Sequence, residues 1–223
     1  KWNSEGDRIA SSSYRRDTRF WQVAENRMRI LNTKNDTLDL SINQAVNDLS
    51  WHPDGKRIAA VGGNYIHVWD TDADELLASR RTGQFRRCTW NRLGTQLAIS
   101  GDQNKIWTPF PNDELSELRL DGMGGRAIAW SGDETRLAIA DGDRNVTIFD
   151  YQKEQTTAVL LKDEDPRGFM AVQWNPIQTD LIAVGGRDSV VRVQDVRRRI
   201  ELATLRDHTD EIRSVAWSAE GTL

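Results

Sequence analysis

Cysteine is nearly absent from this 223-residue sequence: Cys88 stands alone, which excludes an internal disulfide framework and a cysteine-based zinc site. Histidine is scarce as well, with three residues, so a nucleophile-imidazole pairing is poorly supplied. No apolar stretch approaches the roughly 20 residues a transmembrane helix needs, and no charged-then-apolar leader opens the chain. The first residue is Lys1 rather than Met, so this bears only weakly on targeting. Also missing are the phosphate-cradling GxxxxGK[ST], the metalloprotease HExxH and the GxSxG nucleophile elbow. These absences together predict a chain without catalysis, cofactor or metal.

Lysine is the last scarcity. It supplies six of the 30 basic residues, at positions 1, 34, 56, 105, 153 and 162, and the other 24 are arginine. The net charge of −4 and pI near 5.5 do not favour general adhesion to nucleic acid, although a local basic face stays open. A hydrophobic fraction of 38%, a charged fraction of 29% and a mean hydropathy of −0.65 fit a folded soluble protein with no membrane partner. A reducing cytoplasmic setting is the expectation, with the nucleus as alternative. The triplets Asn35-Asp36-Thr37 and Asn145-Val146-Thr147 would accept glycans only in a secreted chain.

What the sequence does have is tryptophan, nine residues of it. Trp2, Trp51, Trp90, Trp130, Trp174 and Trp217 each end a short apolar segment, at successive gaps of 49, 39, 40, 44 and 43. A polar turn and an apolar run follow each: WHPDGKRIAAVGG, WNRLGTQLAIS, WSGDETRLAIA, WNPIQTDLIAVGG and, at the start, WNSEGDRIASSS. Pro53, Asp54 and Gly55 suit a chain reversal, and Gly6, Gly94 and Gly132 are expected to supply backbone freedom at equivalent places. A third segment follows (YIHVWD, NKIWTPF, NVTIFD, VVRVQD, and TRFWQV in the first unit). A fourth closes the unit (ELLASR, ELSELRL, TTAVLL, IELATL, and RMRILN in the first). The runs are short, alternating and rich in Val and Ile, which predicts strands and almost no helix. Four short strands every 40–45 residues make an antiparallel sheet that cannot bury both faces alone, so neighbouring sheets must stack, as blades do in a β-propeller.

Val68-Trp69-Asp70 closes a third strand with the dipeptide that names the WD-repeat family. Ile148-Phe149-Asp150 and Val193-Gln194-Asp195 are similar to worn copies of it, and IRSVAWSAEG (212–221) resembles the first strand and turn of another repeat. The chain is thereby similar to WD-repeat propellers over nearly its whole length. The resemblance implies an all-β propeller of four-stranded antiparallel blades, about five of them encoded. The blades are placed at 1–32, 45–80, 85–120, 126–161 and 169–205, with a partial one at 212–223. Such a chain is expected to be an excerpt of a longer propeller, usually seven-bladed in this family, with closure of five blades into a ring as the alternative. The family's Gly-His pair has one near match, Asp207-His208, because His52 and His67 lie elsewhere in their units, so no blade carries the complete His, Asp, Ser/Thr and Trp network.

Other motifs have plainer readings. Asp70-Thr71-Asp72-Ala73-Asp74-Glu75 spaces its oxygens like a calcium loop but lacks the sharp-turn glycine and the distal bidentate glutamate, and reads as a solvated acidic turn. Gly122-Met123-Gly124-Gly125 reads as a loop, and Arg197-Arg198-Arg199 as a solvated turn. The tryptophans sit at equivalent points of repeated strands, which favours packing between blades over a platform for bases or methylated amines.

In WD-repeat propellers the loops joining fourth to first strands and second to third strands share one rim. Aligning FRRCTW, GRAIAW and IRSVAW puts Arg86, Arg126 and Arg213 at one blade position, and the other copies put Asn47 and Met170 there. The second-to-third-strand turns add Arg15, Arg16, Arg144 and Arg187, and an inter-blade loop adds Arg167. Arginine forks bind carboxylate or phosphate in pairs of hydrogen bonds. The expected function is therefore a non-catalytic scaffold or recognition module, part of a larger chain or complex, binding an acidic or phosphorylated protein segment on that rim. The alternatives are a ligand-sensing propeller of a signal-transducing ATPase and an RNA-associated propeller that holds phosphates with the same arginines. Against all three stands simple surface pairing of the arginines with Asp143, Asp165, Asp188, Asp210 and Glu211.

Overall fold

The structure, a computed structural model, describes residues 1–12, 27–32, 37–41, 46–81, 83–118, 124–141, 145–162 and 168–222. Among the described residues every regular element is a strand. They fall into two compact units, Lys1–Leu97 with Thr108–Glu114, and Ala98–Trp107 with Leu115–Leu223.

In the first unit β1 (Arg8–Ser12), β2 (Arg27–Asn32) and β3 (Thr37–Ser41) make one antiparallel sheet in chain order. A second antiparallel sheet holds β4 (Asp48–Trp51), β5 (Arg57–Gly62), β6 (Tyr65–Asp70) and β7 (Glu75–Arg81). β8 (Phe85–Trp90), β9 (Leu97–Gly101), β10 (Lys105–Thr108) and β11 (Glu114–Glu117) form a sheet ordered β11-β10-β9-β8, whose residues are shared between the units. The second unit adds two antiparallel sheets. One holds β12 (Gly125–Trp130), β13 (Arg136–Asp141), β14 (Asn145–Asp150) and β15 (Gln155–Lys162). The other holds β16 (Phe169–Trp174), β17 (Leu181–Gly186), β18 (Val191–Asp195) and β19 (Ile200–Leu205).

Burial explains the sequence pattern. The second strand of each four-stranded sheet is covered on both faces: Ile58 to Val61, Leu97 to Ile99, Leu137 to Ala140 and Ile182 to Val184 are all buried. A strand with two covered faces needs an unbroken apolar run rather than an alternating one. The last strands β7, β11 and β19 are largely exposed, with Leu76, Ile200, Leu202 and Leu205 among their exposed side chains. Cores lie between facing sheets. In the first unit Ala10 and Ile30 pack with Val46, Leu49, Ile58 and Ala60 against Trp51 and Trp69. In the second, Ala138, Val146 and Ile148 pack with Phe169, Val172, Trp174 and Ile182.

Three of the repeat tryptophans tie one repeat to the next, whereas the Nε1 groups of Trp90 and Trp130 are buried without a hydrogen-bond partner. Trp174 Nε1 donates to the Ala129 carbonyl at 3.1 Å, Trp217 Nε1 to Gln173 at 3.2 Å and Trp51 Nε1 to Lys1 at 2.9 Å. Each of these three acceptors directly precedes the tryptophan of the preceding repeat. The next residue repeats the device: Asn3 Nδ2 bonds the Gly55 carbonyl at 3.2 Å, His52 Nε2 that of Gly94 at 2.8 Å, and Asn175 Nδ2 that of Gly221 at 3.0 Å.

Three expectations are corrected. RMRILN is not the last strand of its sheet: β2 pairs directly with β1, Arg8 opposite Asn32, and the outer strand is β3, TLDLS. That sheet therefore runs to Ser41, past the expected boundary at residue 32. The segment TRFWQV, expected as the third strand, lies outside the described residues. Second, IRSVAW is not a strand. It keeps the side-chain tie of Trp217 and a backbone bond from Ile212 N–H to Gly186 O at 2.8 Å, but in every complete sheet a first strand is laddered to the second strand of its own hairpin, and the described residues after Trp217 supply only the turn. Third, the turn Ser131–Arg136 places Glu134, not Gly132, at positive φ (60°), where the equivalent turns have Gly6, Gly55, Gly94 and Gly221. Turn closure at the fourth residue after Trp fixes the position that must be left-handed, and Gly132 comes two residues too early.

Candidate interaction site on the first strands

The aligned position that carries Arg86, Arg126, Met170, Asn47 and Arg213 is set up by its neighbour. The preceding residue is buried in all five copies (Val46, Phe85, Gly125, Phe169 and Ile212), and strand alternation then turns the next side chain outward. Arg86, Asn47 and Arg213 are exposed, and Arg126 and Met170 half-buried. In two sheets a bulge reinforces this. The β12–β13 register slips between Gly125 and Ala127, and the β16–β17 register between Phe169 and Ala171, leaving Arg126 and Met170 as the extra residues. Bulges bend a strand and re-aim a side chain. At the start of β4 the Val61 carbonyl accepts the Asn47 N–H at 2.8 Å while Val61 also faces Asp48 in the ladder, so two residues again oppose one.

Gly125 shows why no side chain fits before Arg126. A Cβ there would lie 2.4 Å from Asn104 Oδ1, the oxygen that accepts the Gly125 N–H at 3.1 Å. Gly125 is thus the first residue of β12, not part of a loop, while Gly122 and Met123 lie outside the described residues.

Within the first unit, Asn47 Nδ2 donates to the Phe85 carbonyl at 2.7 Å, which seats Asn47 beside the backbone that leads into Arg86. Behind this pair Asp48 is buried; it accepts the Cys88 N–H at 3.1 Å and pairs with Lys1 Nζ at 2.8 Å. Within the second unit, Arg126 Nη1 lies 3.6 Å from Met170 Sδ, so two of the aligned side chains touch. Arg187, in the β17–β18 turn, and Arg213 meet at Glu211: Arg187 Nε is 3.3 Å from Oε2, and Arg213 Nε is 2.7 Å from Oε1. Asp188 is engaged by Arg192 instead, and Asp210 accepts the Glu211 N–H at 2.7 Å. Of the expected acidic neighbours, then, Glu211 takes up the aligned Arg213 together with Arg187 of the turn. Arg15, Arg16, Arg144, Arg167, Asp143 and Asp165 lie outside the described residues.

Residues missed by the sequence reading hold the turns at the other ends of the strands. Arg8 Nη1 reaches Thr71 Oγ1 at 2.8 Å and Asp72 Oδ1 at 2.6 Å. Arg136 reaches Asp180 and the Thr179 carbonyl, both at 2.9 Å, and lies 4.9 Å from the Trp174 ring centroid. Arg57 lies 5.7 Å from the Phe110 ring. All three stand six residues after the repeat tryptophan, so they form a column of their own when the repeats are aligned.

A family model described as "WD domain, G-beta repeat" matches residues 36–70 and 199–223. A chain in a solved structure titled "Crystal Structure of Mitotic Checkpoint Complex" superposes with a TM-score of 0.81 at 17% identity, covering 97% of this chain and 65% of that one. The fold is that of a β-propeller, and the two matched segments are WD repeats. Among its relatives, Gem-associated protein 5 of Mus musculus is 29% identical over 142 residues, which are 62% of this chain and 9% of that protein. Cell division cycle 20.1, cofactor of APC complex, of Arabidopsis thaliana is 25% identical over 188 residues, 78% of this chain and 40% of that protein. The chain thus spans less than half the length of either relative. Its WD aspartates act locally. Asp70 accepts the N–H groups of Asp72 and Ala73 at 2.8 and 3.0 Å, and Asp150 and Asp195 accept those of Lys153 and Arg198 at 2.9 and 2.7 Å. Each braces a turn whose fifth residue (Asp74, Glu154 or Arg199) has positive φ. Asp70 is therefore spent on its own backbone, and Asp72 on Arg8 and Lys56.

Proposed function

We propose that this WD-repeat chain is a non-catalytic interaction module, binding an acidic or phosphorylated segment of a partner protein through the arginines at the aligned first-strand position. The observation that carries this reading is the bulge that turns Arg126 and Met170 out of the ladder side by side, with Arg86 and Arg213 exposed at the same position of other repeats. A packing role alone has no use for a side chain pushed away from its sheet. Guanidinium forks match carboxylate and phosphate, and a neighbouring thioether supplies adaptable apolar contact. The names of the relatives support the class: one is a cofactor of a complex, and the similar fold was solved within a complex. The function would be exercised within a larger assembly.

The experiment is a pull-down with the full chain, native and with R86E, R126E and R213E together, identifying bound material by mass spectrometry. Capture of a protein that the reversal releases is expected. Capture that survives the reversal contradicts the reading. Recovery of RNA whose binding falls steeply with salt would transfer the arginines to phosphate contacts on nucleic acid.

A further inference from the structure

We propose that Glu211 is an internal stand-in for the partner's acidic group, holding the Arg187–Arg213 seat closed until an outside carboxylate or phosphate displaces it. The inference rests on the reading that these arginines bind a partner's anion. Its own evidence is the way Glu211 is held. The two carboxylate oxygens are divided between two arginines from different segments, Oε1 facing Nε and Nη2 of Arg213 at 2.7 and 2.6 Å, and Oε2 facing Arg187 Nε at 3.3 Å. Arg213 holds one carboxylate oxygen with its Nε and Nη2 edge, the edge a bidentate ligand needs, while Arg187 Nε stands at ion-pair distance without a hydrogen bond. Backbone geometry keeps the seat assembled: Ile212 N–H bonds the Gly186 carbonyl at 2.8 Å, which registers Glu211 against Arg187.

Exposure is unequal in a way that suits displacement. The Arg213 side chain is 76% exposed, whereas Glu211 is 18% exposed. A partner's anion can therefore reach the guanidinium from solvent, but meets it with one edge already taken. Glu211 would swing aside or stay as a like charge against the newcomer, so the seat discriminates against weakly acidic partners. Ion pairs this close to solvent are weak, which makes the gate shallow enough to open.

The test measures fluorescence anisotropy of two short labelled peptides, one alternating glutamate with glycine and one alternating phosphoserine with glycine, against the full chain. E211Q and E211A should bind about 3- to 10-fold more tightly than the native chain, and adding R213E should cancel the gain. The peptide that gains more tells carboxylate from phosphate. Circular dichroism of each variant verifies the fold. Native binding that R213E abolishes but E211Q and E211A leave unchanged overturns the stand-in role while sparing the arginine site. Weaker binding by both Glu211 variants also overturns it, since Glu211 would then be positioning the arginines. Absence of binding by every form overturns both ideas.

Discussion

Replacing Trp174 by phenylalanine should cost about 3 kcal/mol, and the same change at Trp217 under about 1. The Trp174 ring is 4% exposed within the core between the two sheets of the second unit. Its Nε1 bonds the Ala129 carbonyl in a buried setting at 3.1 Å, and the Arg136 guanidinium lies 4.9 Å from the ring. Phenylalanine removes the donor and strands the carbonyl, worth roughly 1–2 kcal/mol. Losing the pyrrole portion of the ring leaves space worth about another 1, and the weaker cation–π contact costs roughly 0.5. Trp217 has the equivalent bond, to Gln173 at 3.2 Å, but in an exposed setting where water can replace it. Urea unfolding followed by circular dichroism separates the two. With a slope near ~3 kcal/mol/M for a chain of this size, W174F should lower the midpoint by about 1 M and W217F by a third of that or less. Equal shifts, or a W174F midpoint within error of native, would refute the assignment of Trp174 to a buried inter-sheet tie.

Other substitutions probe the turns and the lone thiol. Gly94 has φ +71° and a methyl there would come within 2.0 Å of His52 Nε2, so G94A should destabilise by more than about 2 kcal/mol in the same melt. Glu134 bears the left-handed conformation that glycine holds in the equivalent turns, and E134G should stabilise by up to roughly 1 kcal/mol, read as a higher thermal midpoint. The Cys88 thiol is pushed up by burial and by the nearby Asp48 carboxylate, so it stays protonated at neutral pH. Mass spectrometry should detect no iodoacetamide adduct on the native chain and full modification once urea unfolds it; rapid native labelling would contradict the packing around β8.

The sequence carried the architecture because the repeat is physically redundant. Six tryptophans at nearly one period, four of them followed by a turn and a doubly buried strand, leave few alternatives to stacked four-stranded sheets, and the WD aspartates mark where third strands end. The first sheet was misassigned because its strands were placed by counting apolar segments. TLDLS alternates as cleanly as its neighbours, but counting apolar segments makes RMRILN the last strand before it, and strand pairing is not readable from one chain. Glu134 escaped notice because a turn's left-handed position is set by its closing hydrogen bond, while composition draws attention to the nearest glycine. The aligned arginines were visible as a column. What the column could not show was the bulge that turns Arg126 and Met170 outward, since bulges depend on register between strands. Nor could it show that Glu211 bridges Arg187 and Arg213, because that contact comes from a backbone bond between segments 26 residues apart.

Titration of the captured partner segment against three forms of the chain would decide most directly whether the aligned first-strand arginines are the binding surface. The forms are native, R86E with R126E and R213E, and R197E with R198E in the β18–β19 turn, which reverses exposed arginines at the opposite strand ends. Affinity should fall at least ~10-fold in the first-strand reversal and stay within about twofold of native in the turn reversal. Equal losses, or a loss confined to Arg197 and Arg198, would contradict the assignment and move binding to the other end of the blades.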